Sequence, residues 1–522
     1  MVAGPVGGRA DGYCGREGGL SGAGGTLQRF CLALLLPLLL LPVSGCGQSE
    51  PRAIRFGLGS APSNLDPRFA TDATSERINR LLYRRLVDHD EAARPVASLA
   101  RWRRLTPLHY RFTLSDSGRL FHDGSRLDAA DVVATYRSVL DPQAASPHRG
   151  ALDMIERVEA VDDDTVDFFL SRPDPLFPGY LTIGILPARK IAAGHGFART
   201  PVGSGPFRLL DWPDAGRLRL LRLRDNRVFV FERVGDPTMR VLKLLRGEID
   251  LLQNDLPPEL LRYLEAQPDV RVERRAGSNF AYLGFQLEDA HTGKPAVRRA
   301  IALAIDRGAI IEALFDGAAR PALALLPPEH WAGAADLPLI RPDPQRARQL
   351  LAQAGYGPDN PLHLSYKTSS DPFRVRIATI IQHQLGEAGI RVKVQSYDWG
   401  TFYGDIKAGR FQMFSLAWVG VRMPDIFRYV FHSESVPPAG ANRGRLRDAQ
   451  VDHLIEAAEA AQDLDEKARL YHSLQARLLE LLPYVPLWYE DQFVVHRDTL
   501  HGYRLAADGN YDALADVRAG RR

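Results

Sequence analysis

The sequence predicts an α/β fold, and three stretches carry that prediction. Residues 362–366, a helical run over 373–388 and residues 390–394 read as strand, helix and strand, the repeat of a mainly parallel sheet. Residues 280–287 (FAYLGFQL) read as a strand followed by one long helix, with Val297, Ile301, Ile305, Ile310 and Leu314 at helical spacing. Residues 411–418 form a mostly apolar strand with period two, broken at Val419-Gly420-Val421-Arg422. Pro424 then fits the first turn of a helix through Ile426, Phe427, Tyr429, Val430 and Phe431, with Asp425 as a possible cap. Trp418 thus stands at a strand's carboxyl end before a glycine and a new helix, where ligands gather in α/β proteins.

The 522 residues are 45% hydrophobic, 25% charged and 9% aromatic, an ordinary globular balance. A net charge of +3 gives no electrostatic footprint for nucleic acid. The length suits two to four domain-sized units. Residues 1–28 are Gly-rich, lack an apolar period and are expected to be disordered. After Arg29 comes FCLALLLPLLLLPVSGC, uncharged until Glu50. That run matches a signal-peptide core and is short for a membrane span. Its end, Val43-Ser44-Gly45-Cys46, resembles a bacterial lipobox, which is cut before a cysteine that then carries lipid. Cleavage there removes Cys14 and Cys31 and commits Cys46, leaving no thiol for a disulfide or metal.

The globular part starts at Ile54 with the strand IRFGLGS, a loop through residue 75 and a helix carrying Ile78, Leu81, Leu82, Leu86 and Val87. A β-rich section follows. Residues 109–114 alternate, Asp123-Gly124 marks a turn, Asp128 caps a helix over AADVVATYRSVL, and residues 158–161 and 165–170 form a hairpin. VGSGPF (202–207) lacks the Lys-Ser/Thr of a phosphate loop and reads as a tight turn entering a strand. Residues 218–223 pair with that strand, and a helix ending at Gly247 leads into a strand at 249–252. Residues 343–354, 448–461 and 466–482 are helices, Pro483 stops the last, and PYVPLWYEDQFVVH is a strand able to return to the first half.

The order of these landmarks resembles the family 5 extracellular solute-binding proteins, the dipeptide- and oligopeptide-binding components of ABC importers. The matching segments are NLDPRFATDATSERINRLLYRRLV, RFTLSDSGRLFHDGSRLDAADVVATYRSVLDP, VGSGPFRLLDW, LLRGEIDLL, VRRAIALAIDR, the span between Trp399 and Trp418, and LPYVPLWY. The resemblance implies a two-lobed α/β periplasmic-binding-protein clamshell (type II) with an extra α+β subdomain inserted in the first lobe. It implies a signal peptide over 1–45 and a lipid tether over 46–53. The first lobe takes 54–89 and 201–278, the inserted subdomain 90–200, the second lobe 279–485, and 486–522 returns to the first lobe. Two crossings, near 275–282 and 484–490, join the lobes. Such a jaw closes on its ligand because the ligand prefers the closed state. Reversing a 1:99 closed-to-open ratio takes about 5.5 kcal/mol of that preference.

The resemblance also implies where cargo sits. Trp418-Val419-Gly420-Val421 stands where peptide-binding relatives carry W-x-x-D, whose aspartate receives the peptide α-amine. Valine in that place argues against burying an ammonium there without an acid. Lys367 falls where relatives place a basic residue for the ligand carboxylate. Arg422, His432, Asn442 and Arg443 are further polar candidates, and Ser60, Asn64, Tyr83, Asn279 and Tyr282 come from the first lobe and the crossing. The local bias is basic, so the cargo is expected to be neutral or to carry an anionic group. The implied partners are a small peptide-like solute, the permease and ATPase subunits, and a membrane reached through lipid on Cys46. The chain is expected to act as a monomer in the periplasm or cell envelope, without nucleic acid, cofactor or metal. The same fold also suits a metal chelate, haem or oligosaccharide, or a sensor without transport. HExxH, GxSxG, P-loop and CxxC patterns are absent, and His496 and His501 make a poor metal pair, so the chain does not read as an enzyme.

Overall fold

The computed structural model describes residues 53–520. Cys46 and the leader before it lie outside the described residues. The largest sheet joins both lobes, in the order Ile390–Tyr397, Leu362–Ser369, Met413–Trp418, Val270–Phe285, Tyr484–Arg497, Leu251–Gln253, Ile54–Leu58, Arg227–Arg233, Arg217–Arg222 and Phe207–Asp214. Ala319–Pro321 adds to Tyr484–Arg497 from the side. Leu362–Ser369 and Ile390–Tyr397 pair in parallel around the helix Pro372–Glu387.

Two strands cross from one lobe to the other. Val270–Phe285 and Tyr484–Arg497 pair antiparallel from Val270↔Arg497 to Arg275↔Gln492, and again from Asn279↔Glu490 to Gly284↔Tyr484. Between them the register shifts, leaving Ala276, Gly277 and Ser278 in a bulge. A bulge bends its strand and weakens local pairing, which suits a hinge. Gly277 has a steric reason: a Cβ there would lie 2.2 Å from the Glu490 carbonyl oxygen.

On the first-lobe side, Ile54–Leu58 is held between Arg227–Arg233 and Leu251–Gln253 in parallel. The helix Ala73–Leu82, capped by Asp72 on the Ser75 amide, packs Ile78, Leu81 and Leu82 into this core. The VGSGPF segment lies along that helix's end, where a Cβ on Gly203 would meet the Leu82 carbonyl at 2.0 Å. A separate four-stranded antiparallel sheet, Ala100–Thr106, His109–Leu114, Thr165–Leu170 and Ile155–Ala160, covers the helix Ala129–Leu140. Phe112, Phe121, Tyr136 and Phe168 give it its own apolar core.

The second lobe departs from the sequence reading in two places. The single helix expected after residue 295 breaks into Pro295–Ala304, Arg307–Ile310 and a wider turn over Ile311–Phe315. Ile305 is extended, and the Asp306 carboxylate accepts from the Ala309 amide to start a new helix. Gln384 receives the Asp306 amide at 3.0 Å, a tertiary contact invisible to periodicity. The helix after Trp418 is also shorter, Ile426–Phe431, and Asp425 stands before it without a side-chain capping bond.

Candidate functional site

The lobes are closed on one another. The Trp331 amide of the second lobe donates to the Ala92 carbonyl of the first at 3.0 Å. The Met423 side chain lies where a Cβ on Gly179 would touch it at 3.0 Å. Lys467 reaches Asp174 at 3.8 Å, and Arg376 pairs with Glu259. Among the described residues, chambers of about 310 and 420 Å³ lie between the lobes.

The smaller chamber backs onto the hinge bulge. Arg275–Ser278 line it, with Asp88, His89 and Glu91 from the first lobe and Arg320, Glu329, His330 and Val421 from the second. Its charges neutralise one another: Arg275 holds Glu91 at 2.7 Å and Arg320 holds Glu329 at 2.7 Å. Burial opposes ionisation of Asp88, but Arg85 at 2.6 Å and Arg80 at 3.3 Å hold its carboxyl below the ordinary range. Loss of solvent, then repulsion from Arg422, pushes His89 down to about 4, so its imidazole is neutral at pH 7.

The larger chamber is basic. Glu76, Arg77, Asn79 and Arg85 of the first lobe line it, with His148 and Thr182, opposite Val419 and Gly420. Arg77 lies 5.5 Å over the Tyr511 ring and, among the described residues, has no carboxylate within 4 Å. Glu76 likewise has no ion pair among the described residues. Glu76 is exposed to the solvent of the chamber it lines, with Val419, Gly420 and Arg422 of the other lobe among the chamber's walls. Desolvation pushes its carboxyl up to about 7 against the pull of Arg422 and Arg85. Asn79 is buried, and its carboxamide has no hydrogen-bond partner among the described residues.

Arg80, Arg422, Asp508 and Asn510 line both chambers. Arg422 and Asp508 form an ion pair across the lobes. Burial works against ionising Asp508, yet Arg422 and Arg80 hold its carboxyl below the ordinary range.

Of the residues singled out in the sequence, Val419, Gly420, Val421 and Arg422 line these chambers. The others line neither. Trp418 sits behind them, stacked on Tyr282 at 6.5 Å, with the Arg443 guanidinium 5.1 Å over its ring. Tyr282 is fully buried and its hydroxyl accepts from Arg443 at 3.1 Å. The proposed carboxylate ligand Lys367 is held at 2.6 Å by Asp405 inside the second lobe, because the helix Trp399–Lys407 brings that acid against its strand. Asn279 faces Glu490 beside the hinge bulge, Ser60 is exposed, and the Asn64 carboxamide accepts from the Asp66 amide in a local turn. Tyr83 donates to the Leu65 carbonyl, Asn442 donates to the His432 and Leu446 carbonyls, and His432 lies 3.3 Å from Glu456.

Sequence reasoning missed Glu76, Arg77, Asn79, Arg80 and Asp508. The first four had a signal: Glu76 with Asn79 and Arg80, and Arg77 with Arg80, recur at three- and four-residue spacing on a helix whose Ile78, Leu81 and Leu82 face the core. Asp508 lies in an irregular segment and had none.

Comparison with known proteins places this arrangement. A family model described as bacterial extracellular solute-binding proteins, family 5 middle, matches residues 101–436. The di/tripeptide-binding protein 2 of Pseudomonas aeruginosa is 28% identical over 520 residues, covering 92% of this chain and 97% of that protein. The ABC transporter substrate-binding protein CtaP of Listeria monocytogenes superposes with a TM-score of 0.82 at 21% identity, over 90% of this chain and 100% of CtaP. NikZ of Campylobacter jejuni, solved with Ni(L-His), gives 0.76 at 23% identity, over 89% of this chain and 99% of NikZ. With the family model spanning most of the chain and both lobes present, the chain belongs to family 5 of the bacterial extracellular solute-binding proteins.

Proposed function

We propose that this protein is the cargo-binding component of an ABC importer, and that its cargo is a small peptide-like solute whose anionic group enters the larger chamber. The observation that carries the reading is the pair of unmatched groups on one helix: Arg77 without a carboxylate and Glu76 with its carboxyl near 7. A cation that stacks on an aromatic ring and, among the described residues, has no carboxylate to neutralise it favours an anion, and a protonated Glu76 can donate a hydrogen bond to it. The relatives named for di- and tripeptides and for ABC transport support the cargo class and the permease and ATPase partners. No step of this role alters the cargo. Lipid on Cys46 would tether a monomer in the cell envelope. Val421, an apolar side chain on the smaller chamber, favours a second reading in which the same cleft takes a non-peptide chelate, haem or oligosaccharide.

Calorimetry with tripeptides blocked at one end tests the proposal. Acetylating the amine is expected to preserve binding, and amidating the carboxylate to weaken it at least tenfold. The reverse ranking contradicts it. Glu76 adds a pH signature. A raised carboxyl favours the folded chain below the ordinary carboxylate range, and that contribution is lost as pH rises through about 7. Over the same interval its new charge faces the anionic cargo. Affinity is therefore expected to fall from pH 6 to 8, and Glu76→Gln to flatten the dependence.

A further inference from the structure

The two chambers are separated by side chains, and the separation is built like a removable part. Arg422 extends from the turn after Met413–Trp418, and its carbonyl oxygen lies 2.9 Å from His330 Nε2. Asp508 is held from behind: one carboxylate oxygen accepts the Asn510 amide at 3.0 Å and its side-chain NH₂ at 2.7 Å. Each partner is thus fixed to its own lobe, and the pair itself is half-buried between the two chambers. Among the described residues, other ion pairs also link the lobes, Arg376–Glu259 and Lys467–Asp174 and, beside the crossing strands, Arg374–Glu490, Arg262–Asp316 and Arg274–Asp316, but these line neither chamber.

We propose that the Arg422–Asp508 ion pair is a crossbar that sets cargo length. The inference rests on the peptide-like reading above. Each chamber lies near the small end of the range for ligand sites, roughly 300–1,000 Å³, so a solute of two or three residues fits one chamber with the crossbar in place. A longer chain must run through the position of the ion pair. It then separates two charges, each held in place by its own lobe, and leaves them to find new partners in an enclosed space. The bar also holds part of the cargo-free population closed, the rest closing when cargo binds.

The test compares acetylated peptides of two to six residues, by calorimetry on the full-length protein, in wild type, Asp508→Asn and the charge swap Arg422→Asp with Asp508→Arg. Wild type is expected to favour two- and three-residue peptides over six by at least tenfold. Asp508→Asn is expected to raise the long-to-short affinity ratio at least tenfold, and the swap to return it toward wild type. A wild type indifferent to length, or a parallel loss at every length in Asp508→Asn, overturns the crossbar. Amide hydrogen exchange without cargo supplies a second readout. Residues 419–423 are expected to exchange at least threefold faster in Asp508→Asn, and the swap to restore protection; identical exchange in all three proteins overturns the proposal. Should no peptide bind any of them, the peptide reading fails, and hydrogen exchange alone decides the crossbar.

Discussion

Replacing Gly277 by valine is expected to destabilise the protein by about 3 kcal/mol, the upper end for forcing bulk into a packed site. The added Cβ would stand 2.2 Å from the Glu490 carbonyl oxygen, a backbone atom of the opposing crossing strand. No side-chain rotation relieves that overlap, so the strands must part where the register already shifts. The Gly277 carbonyl also accepts from Arg320 at 3.3 Å, which ties the bulge to the second lobe. Urea unfolding measures the loss. An unchanged midpoint would mean that the crossing strands tolerate a side chain at the bulge and that their close approach is incidental.

Replacing Arg307 by alanine is expected to cost about 3–4 kcal/mol, from stranded carbonyls and a new cavity together. Arg307 is buried and, among the described residues, has no carboxylate within 4 Å. Its guanidinium donates instead to backbone carbonyls: Pro486 at 2.7 Å, Ile340 at 3.1 Å, and Ala302 and Ile305 at 3.3 Å. Burial pulls this guanidinium down to about 10, against the weaker opposing pull of the neighbouring Asp306 carboxylate. It knits the broken end of Pro295–Ala304 to the crossing strand Tyr484–Arg497. Lysine, with one ammonium in place of a fork, is expected to recover less than half of the loss. Thermal or urea unfolding that leaves Arg307→Ala at wild-type stability contradicts this account.

The two cases mark where the sequence was legible. Local alternation located Leu362–Ser369, Ile390–Tyr397 and Met413–Trp418, because each strand carries its own apolar face. Pairing between distant strands was not local. The crossing strand starts at Val270, well before the residue-280 start that its apolar run suggested, because Tyr484–Arg497 templates the polar stretch between. The helix over 296–315 looked continuous since its apolar spacing survives the break at Asp306. In the site, Val419 to Arg422 were readable as the end of a strand before a turn. Lys367 was not, because its partner Asp405 arrives from a different element. The first lobe's share of the cleft was written on a helix face that was read only for its apolar side, and Asp508 depends wholly on tertiary placement.

Small-angle X-ray scattering tests the central claim most directly. The full-length protein is measured alone and then saturated with the amine-blocked peptide that binds it best in calorimetry. Closure of two lobes about the bulge at Ala276–Ser278 predicts a smaller radius of gyration and a shorter maximum dimension in the loaded state, with the peptide recovered chemically intact. Superimposable profiles at full saturation, or a peptide recovered cleaved or modified, would contradict a jaw that shuts on its cargo and releases it unchanged.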